Sequence, residues 1–187
     1  MPLPEPAPRH HLHQRQVVCD GYEREDGLFD IDARVTDRRH YDLMRPDGVL
    51  ARADKPVHDM WLRLTVDRDL TIVAVQASTD HAPFPVCTGG AAEMQKLVGE
   101  RIGRGFSRRS RELLGGPLGC THLLELLGPA ATTAFQTLVK LRFEAPDRLD
   151  AKGRPVKIDS CYGYAANRDV VRQRWPEHYT RDDAAGT

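Results

Sequence analysis

Two stretches of this chain alternate apolar and polar residues with a period of two, and that alternation constrains the fold more than any other feature. From the turn signal Asp26-Gly27, Leu28 to Asp37 places Phe29, Ile31, Ala33 and Val35 on one face and Asp30, Asp32, Arg34 and Thr36 on the other. Val57 to Val66 repeats the pattern, with His58, Met60, Leu62, Leu64 and Val66 aligned. A period of two sends successive side chains to opposite faces of a sheet, so each stretch predicts a strand with one buried face. Asp67-Arg68-Asp69 then turns the chain, and Leu70 to Ser78 returns as an antiparallel partner. Asp30 and Asp32, beside Arg34 and Arg38, read as a charge-balanced solvated face rather than a catalytic pair.

Strands with one apolar face need a covering layer, and the following residues supply it. A helix is predicted from Thr88 to about Val98, with Ala91, Met94, Leu97 and Val98 inward. A second runs from Phe106 to Leu114, and a third opens at Cys120 and is apolar through Leu123, Leu126, Leu127, Ala130, Ala134 and Leu138. Gly128-Pro129 predicts a kink or break in the third. The expected fold is α+β: an antiparallel sheet of about three to five strands covered on one face by about three helices. Residues 1–16, with His10, His11 and His13, read as a flexible solvated arm. Residues 17–176 read as one domain with its core at 57–143, and 177–187 as a fraying tail. Within that domain, 39–56 reads as a loop or lid between strands, Val156 to Tyr164 as one more short strand, and Trp175-Pro176 as an anchor.

Composition narrows the function. The chain has 187 residues, 40% of them hydrophobic, enough for a core of its own. Its 27 basic and 27 acidic residues cancel, so no overall field steers it to nucleic acid or an acidic lipid surface. No apolar run approaches the roughly 20 residues that span a bilayer, and the N-terminus lacks the apolar segment of a secretory signal. The expectation is a cytoplasmic protein whose partner is a small-molecule substrate, with neither nucleic acid nor membrane involved and a homodimer allowed. The four cysteines, Cys19, Cys87, Cys120 and Cys161, are scattered without a Cys-x-x-Cys pair and read as free thiols or metal ligands.

The candidate site is assembled from separated segments. Gly115-Gly116-Pro117-Leu118-Gly119 leads to Cys120 and His122 at a helix start, where the polarised end favours a thiolate. Cys87 sits at the start of the earlier helix, and His58 begins a strand on its core-facing side. His58, Cys87, Cys120 and His122 are therefore expected to converge as ligands of a divalent metal, zinc or iron. Dispersed ligands of this kind suit a site with an open coordination position. Asp59 and Asp80 are candidate acid–base groups, His122 is a further catalytic candidate, and Tyr162 or Tyr164 could supply a hydroxyl.

Asp26-Gly27-Leu28-Phe29-Asp30-Ile31, Val57-His58-Asp59-Met60, Ala82-Pro83-Phe84-Pro85-Val86-Cys87 and Gly119-Cys120-Thr121-His122-Leu123 together resemble a bacterial domain-of-unknown-function family, DUF2889, from about Arg9 to Pro176. The middle, from His58 to about Phe143, is similar in pattern to the iron-sulfur cluster scaffold fold. In that family a cysteine with an acidic turn precedes a hairpin, a second follows it at a helix start, and a third, next to a histidine, opens a later helix. His58-Asp59, Cys87 and Cys120 stand at those places. The first cysteine is replaced by His58, and Gly119 stands where a histidine would precede Cys120. The resemblance implies cluster assembly on three cysteines, a set these two departures do not keep, whereas a mononuclear metal held by cysteine and histidine remains chemically sound.

The expected function is a small metal-dependent enzyme, a lyase or hydrolase acting on a small organic substrate, aromatic or carboxylated. The alternatives are a metal or sulfur carrier related to iron-sulfur cluster assembly and an interaction module with a structural metal.

Overall fold

The computed structural model describes residues 3–53 and 55–181. The chain separates into two compact units, one ending at Val139 and one beginning at Lys140. The first unit holds a four-stranded antiparallel sheet in the order β1 (His13–Glu23), β2 (Phe29–Arg39), β5 (Pro56–Val66) and β6 (Ile72–His81). The short strands β3 (Leu43–Met44) and β4 (Leu50–Ala51) pair with each other inside the connection expected to be a loop or lid. The α+β class is thus as expected.

The alternating stretches do what their period dictates. Phe29, Ile31, Ala33 and Val35 of β2, and Met60, Leu62, Leu64 and Val66 of β5, are all buried on one face. Helix α2 (Thr121–Thr137) lies against β1, β2 and β5 on that face, α1 (Phe106–Leu114) packs on α2, and Pro85–Leu97 packs on β6. The α2 stripe Leu123, Leu126, Leu127, Ala130 and Ala134 is buried, so tertiary burial rather than propensity holds the helix. At Gly21 a Cβ would come within 1.8 Å of Thr137 Oγ1, which shows how closely β1 passes the end of α2.

Four local expectations need correction. Pro85–Leu97 is a 3-10 segment rather than an α-helix from Thr88, because Pro85 and the Gly89-Gly90 pair are poor α-helix formers. It is held in place by buried Met94 and Leu97, and by Gln95 Nε2 donating to the Val75 carbonyl at 2.6 Å. Helix α2 runs unbroken through Pro129, since Gly128 and Pro129 lie on its exposed side while the buried stripe keeps its grip on the sheet. Val156 to Tyr164 forms turns and a 3-10 turn at Tyr162–Tyr164 instead of a strand, with Asp159 at φ 62°. Strand β1, which begins at His13, occupies the end of the stretch read as an arm.

The second unit opens with most of α3 (Val139–Glu144) and contains α4 (Asp169–Arg174). Its small core is Ile158, Val171 and Trp175, with Tyr164, Ala166 and Tyr179 packed on it. Trp175 is an anchor here, its Nε1 donating to Asp147 at 2.9 Å. The expected tail begins in a 3-10 turn, Pro176–His178, and residues 182–187 lie outside the described residues. No helix among the described residues is long and apolar enough to cross a membrane.

Candidate functional site

The buried face of β2 does not end at Val35. The next residue on it is Asp37, only 1% exposed, which sits opposite His58 in the antiparallel pairing of β2 with β5. A carboxylate removed from water needs charge and hydrogen-bond partners, and Asp37 has both. Arg15 of β1 forks onto it, Nε donating to Oδ1 at 2.8 Å and Nη2 to Oδ2 at 2.7 Å. His13 Nε2 lies 3.1 Å from Oδ1, and His58 Nδ1 lies 2.9 Å from Oδ2. The second end of the Arg15 guanidinium pairs with Glu125 of α2.

These partners set the charge state. The hydrogen bonds from Arg15 hold the Asp37 carboxyl far below the usual carboxylate range, against the opposing effect of its burial. Asp37 is therefore anionic, and the His58 nitrogen facing it must be the one carrying a proton. That fixes His58 with Nδ1–H toward Asp37 and leaves Nε2 to act as a base or a metal ligand.

His122, in the first turn of α2, packs against His58 with ring centroids 3.7 Å apart and planes tilted by 30°. Burial, and then the neighbouring His58, push the His122 pKa below its ordinary value, so the ring stays neutral near pH 7. Cys120 is the N-cap residue of α2. Its Sγ lies 4.0 Å from His122 Nδ1 and 3.9 Å from Met60 Sδ. Opposite it, Gly90 approaches so closely that a Cβ there would stand 2.7 Å from the Cys120 Cβ. His58, Cys87, Cys120 and His122 line a single cleft of about 720 Å³, together with Phe84 and Lys96.

The four metal-ligand candidates thus share one cleft, although the tightest donor set differs from the expected one. Among the described residues, the donor atoms that lie within 4.8 Å of one another belong to Asp37, His58 and His122, and neither cysteine is in that group. A tetrahedral zinc places a sulfur and a nitrogen ligand about 3.5 Å apart, so the 4.0 Å between Cys120 and His122 would have to close only slightly.

The acid–base candidates Asp59 and Asp80 lie elsewhere in the first unit. Asp59 alternates to the opposite face of β5, where Arg34 donates to both its oxygens at 2.8 and 2.7 Å and holds its pKa down. Asp80 is exposed near the end of β6, where it accepts from Ser78 Oγ at 3.2 Å. Tyr162 belongs to the second unit, is 81% exposed, and carries the Arg168 guanidinium over its ring at 4.4 Å. The site residues that sequence reasoning missed are Asp37, Arg15 and His13. Asp37 had a signal, being an aspartate two positions beyond Val35 on the buried face of an alternating strand. Arg15 and His13 had none of that kind, because β1 shows no apolar alternation around them.

A family model described as "Protein of unknown function (DUF2889)" matches residues 13–136, a span that holds Arg15, Asp37, His58, Cys87, Cys120 and His122. No curated protein and no solved structure matches the chain. With most of its length, and every residue of the cleft, inside that match, the chain belongs to the DUF2889 family of proteins of unknown function.

Proposed function

We propose that the cleft is the active site of a small metal-dependent enzyme, a lyase or hydrolase acting on a small organic substrate. The observation that carries this reading is the His58–His122 pair, two imidazoles 3.7 Å apart at the cleft, one of them oriented by a buried carboxylate. Zinc or iron would be held by His58 Nε2 and His122, with Cys120 or Cys87 as a sulfur ligand. Asp37, occupied by Arg15, acts behind His58 as the group that sets its tautomer and basicity. Such a metal supplies Lewis acidity toward a carbonyl oxygen and lowers the pKa of bound water. With Asp59 turned away, Glu93, which pairs with Lys96, is the carboxylate on the cleft wall.

Metal analysis of purified protein tests the reading. About one equivalent of zinc or iron per chain is expected, lost in His58→Ala and in His122→Ala. Substoichiometric metal in the unmodified protein, unchanged by either substitution, would sink it.

A second reading follows from the 4.0 Å approach of Cys120 Sγ to His122 Nδ1. A thiol beside an imidazole suits metal-free nucleophilic chemistry, or a carrier of metal or sulfur akin to the iron-sulfur scaffolds. Stoichiometric alkylation of Cys120 at neutral pH in metal-free protein, abolished by His122→Ala, would favour it.

A further inference from the structure

The cleft has an apolar mouth as well as a polar interior. Phe84, Val86 and Leu118 line it and are 55%, 82% and 48% exposed. Large apolar side chains left in water at the rim of a concave site mark a ligand surface. The volume of about 720 Å³ lies in the range of small-molecule sites. Gly89, Gly90 and Gly119 also line the cleft, so part of its wall is bare backbone that a flat ligand can approach. The walls are poor in free positive charge. Lys96 Nζ is 2.5 Å from Glu93 and 3.3 Å from the Leu118 carbonyl, and Arg45, whose guanidinium stands 5.0 Å from the Phe84 ring centroid, is paired with Asp47. With those cations committed, a head group is left to the imidazoles of His58 and His122, which suits one carbonyl or singly charged carboxylate better than a doubly charged phosphate, while a planar apolar body matches the mouth.

We infer that the cleft takes small aryl compounds bearing a carbonyl or carboxylate group. The ring lies against Phe84, Val86 and Leu118, and the oxygen points at His58 and His122. This rests on the reading of those two imidazoles as the reactive end of the cleft. An aromatic ring on Phe84 gains the offset-stacking preference beyond simple area burial, which selects aryl over short aliphatic acids.

Benzoate and acetate, titrated in parallel into the isotope-labelled full chain, test it by amide shifts. Benzoate is expected to move Gly89, Gly90 and Gly119 saturably with a Kd of about 1 mM, leaving Gly27 in the β1–β2 turn unmoved. Acetate should give no saturable shift. Phe84→Ala, at an exposed position, is expected to weaken benzoate binding about tenfold. The inference is overturned if benzoate leaves the cleft glycines unmoved, if acetate binds as well, or if Phe84→Ala binds benzoate unchanged. Metal content of the same samples separates the two ideas. Metal that depends on His58 without benzoate binding overturns the aryl site alone. Phe84-dependent benzoate binding in a chain that takes up no metal upholds the aryl site and overturns the metal reading.

Discussion

Arg15 and Asp37 meet fork to fork across the edge of the sheet, with nitrogen–oxygen distances of 2.8 and 2.7 Å, in a place where the carboxylate is almost entirely shielded from water. Each Asp37 oxygen also has a histidine nitrogen within hydrogen-bond distance, His13 on one and His58 on the other. Asp37 is the junction through which β1, β2 and β5 are tied to the cleft.

Removing the arginine leaves a buried charge without its main partner. Arg15→Ala is expected to destabilise the first unit by about 3 kcal/mol, read as a lower urea midpoint. Adding Asp37→Asn to it should recover part of the loss, because the orphaned charge is gone. If the double variant is less stable than Arg15→Ala, the pair is not the source of the effect.

Acid should act through the same carboxylate. The folded-state pKa of Asp37 is depressed, so its contribution to stability is complete above the unfolded value of about 3.9. That contribution is lost as the pH falls from there through the lower folded value. Denaturation midpoints measured from pH 6 downward should decline less steeply below about pH 4 in Asp37→Asn than in the unmodified protein. Parallel declines would assign the acid sensitivity to other carboxylates.

Gly90 and Gly89 offer a matched pair. A Cβ at 90 would stand 2.7 Å from the Cys120 Cβ, whereas one at 89 meets nothing within 4 Å. Gly90→Ala is expected to cost about 1–3 kcal/mol by forcing the cleft walls apart, and to weaken metal uptake. Gly89→Ala should be close to neutral in stability. Thermal melts of the two variants side by side check this, and equal effects would contradict it.

Cys120 is half-buried, at a helix start rather than in the core. Cys120→Ser is expected to lose metal or activity while lowering stability by no more than about 1.5 kcal/mol. A variant that unfolds, with its residual folded fraction undiminished in function, would reassign Cys120 to packing.

How legible each part was depended on whether its cause is local. Strands β2 and β5 and helix α1 could be read because one-sided burial writes a period into the sequence. Phe29 to Val35 and Met60 to Val66 show it at every second residue. The convergence of His58, Cys87, Cys120 and His122 could be read for a related reason, since each sits at the end of an element that must cover one sheet face. Strand β1 was hidden because it is an edge strand with mostly exposed side chains, and its place comes from pairing with β2 along its whole length. The continuity of α2 through Pro129 was hidden because a buried stripe on the far side of the helix outweighs the lost hydrogen bond.

By itself the sequence determined the α+β class, the buried faces of two strands, and the group of histidines and cysteines that meet at one cleft, since all of these follow from periodicity and element ends. Only the tertiary structure decided which carboxylate serves His58. Asp59, its neighbour in sequence, points to the other face of β5 and is bound by Arg34, while Asp37 faces His58 across the sheet and is charged because Arg15 reaches it from β1. The physical reason is that a buried charge is settled by partners within about 3 Å in space, and Arg15 and His58 are 22 and 21 residues away from Asp37 along the chain.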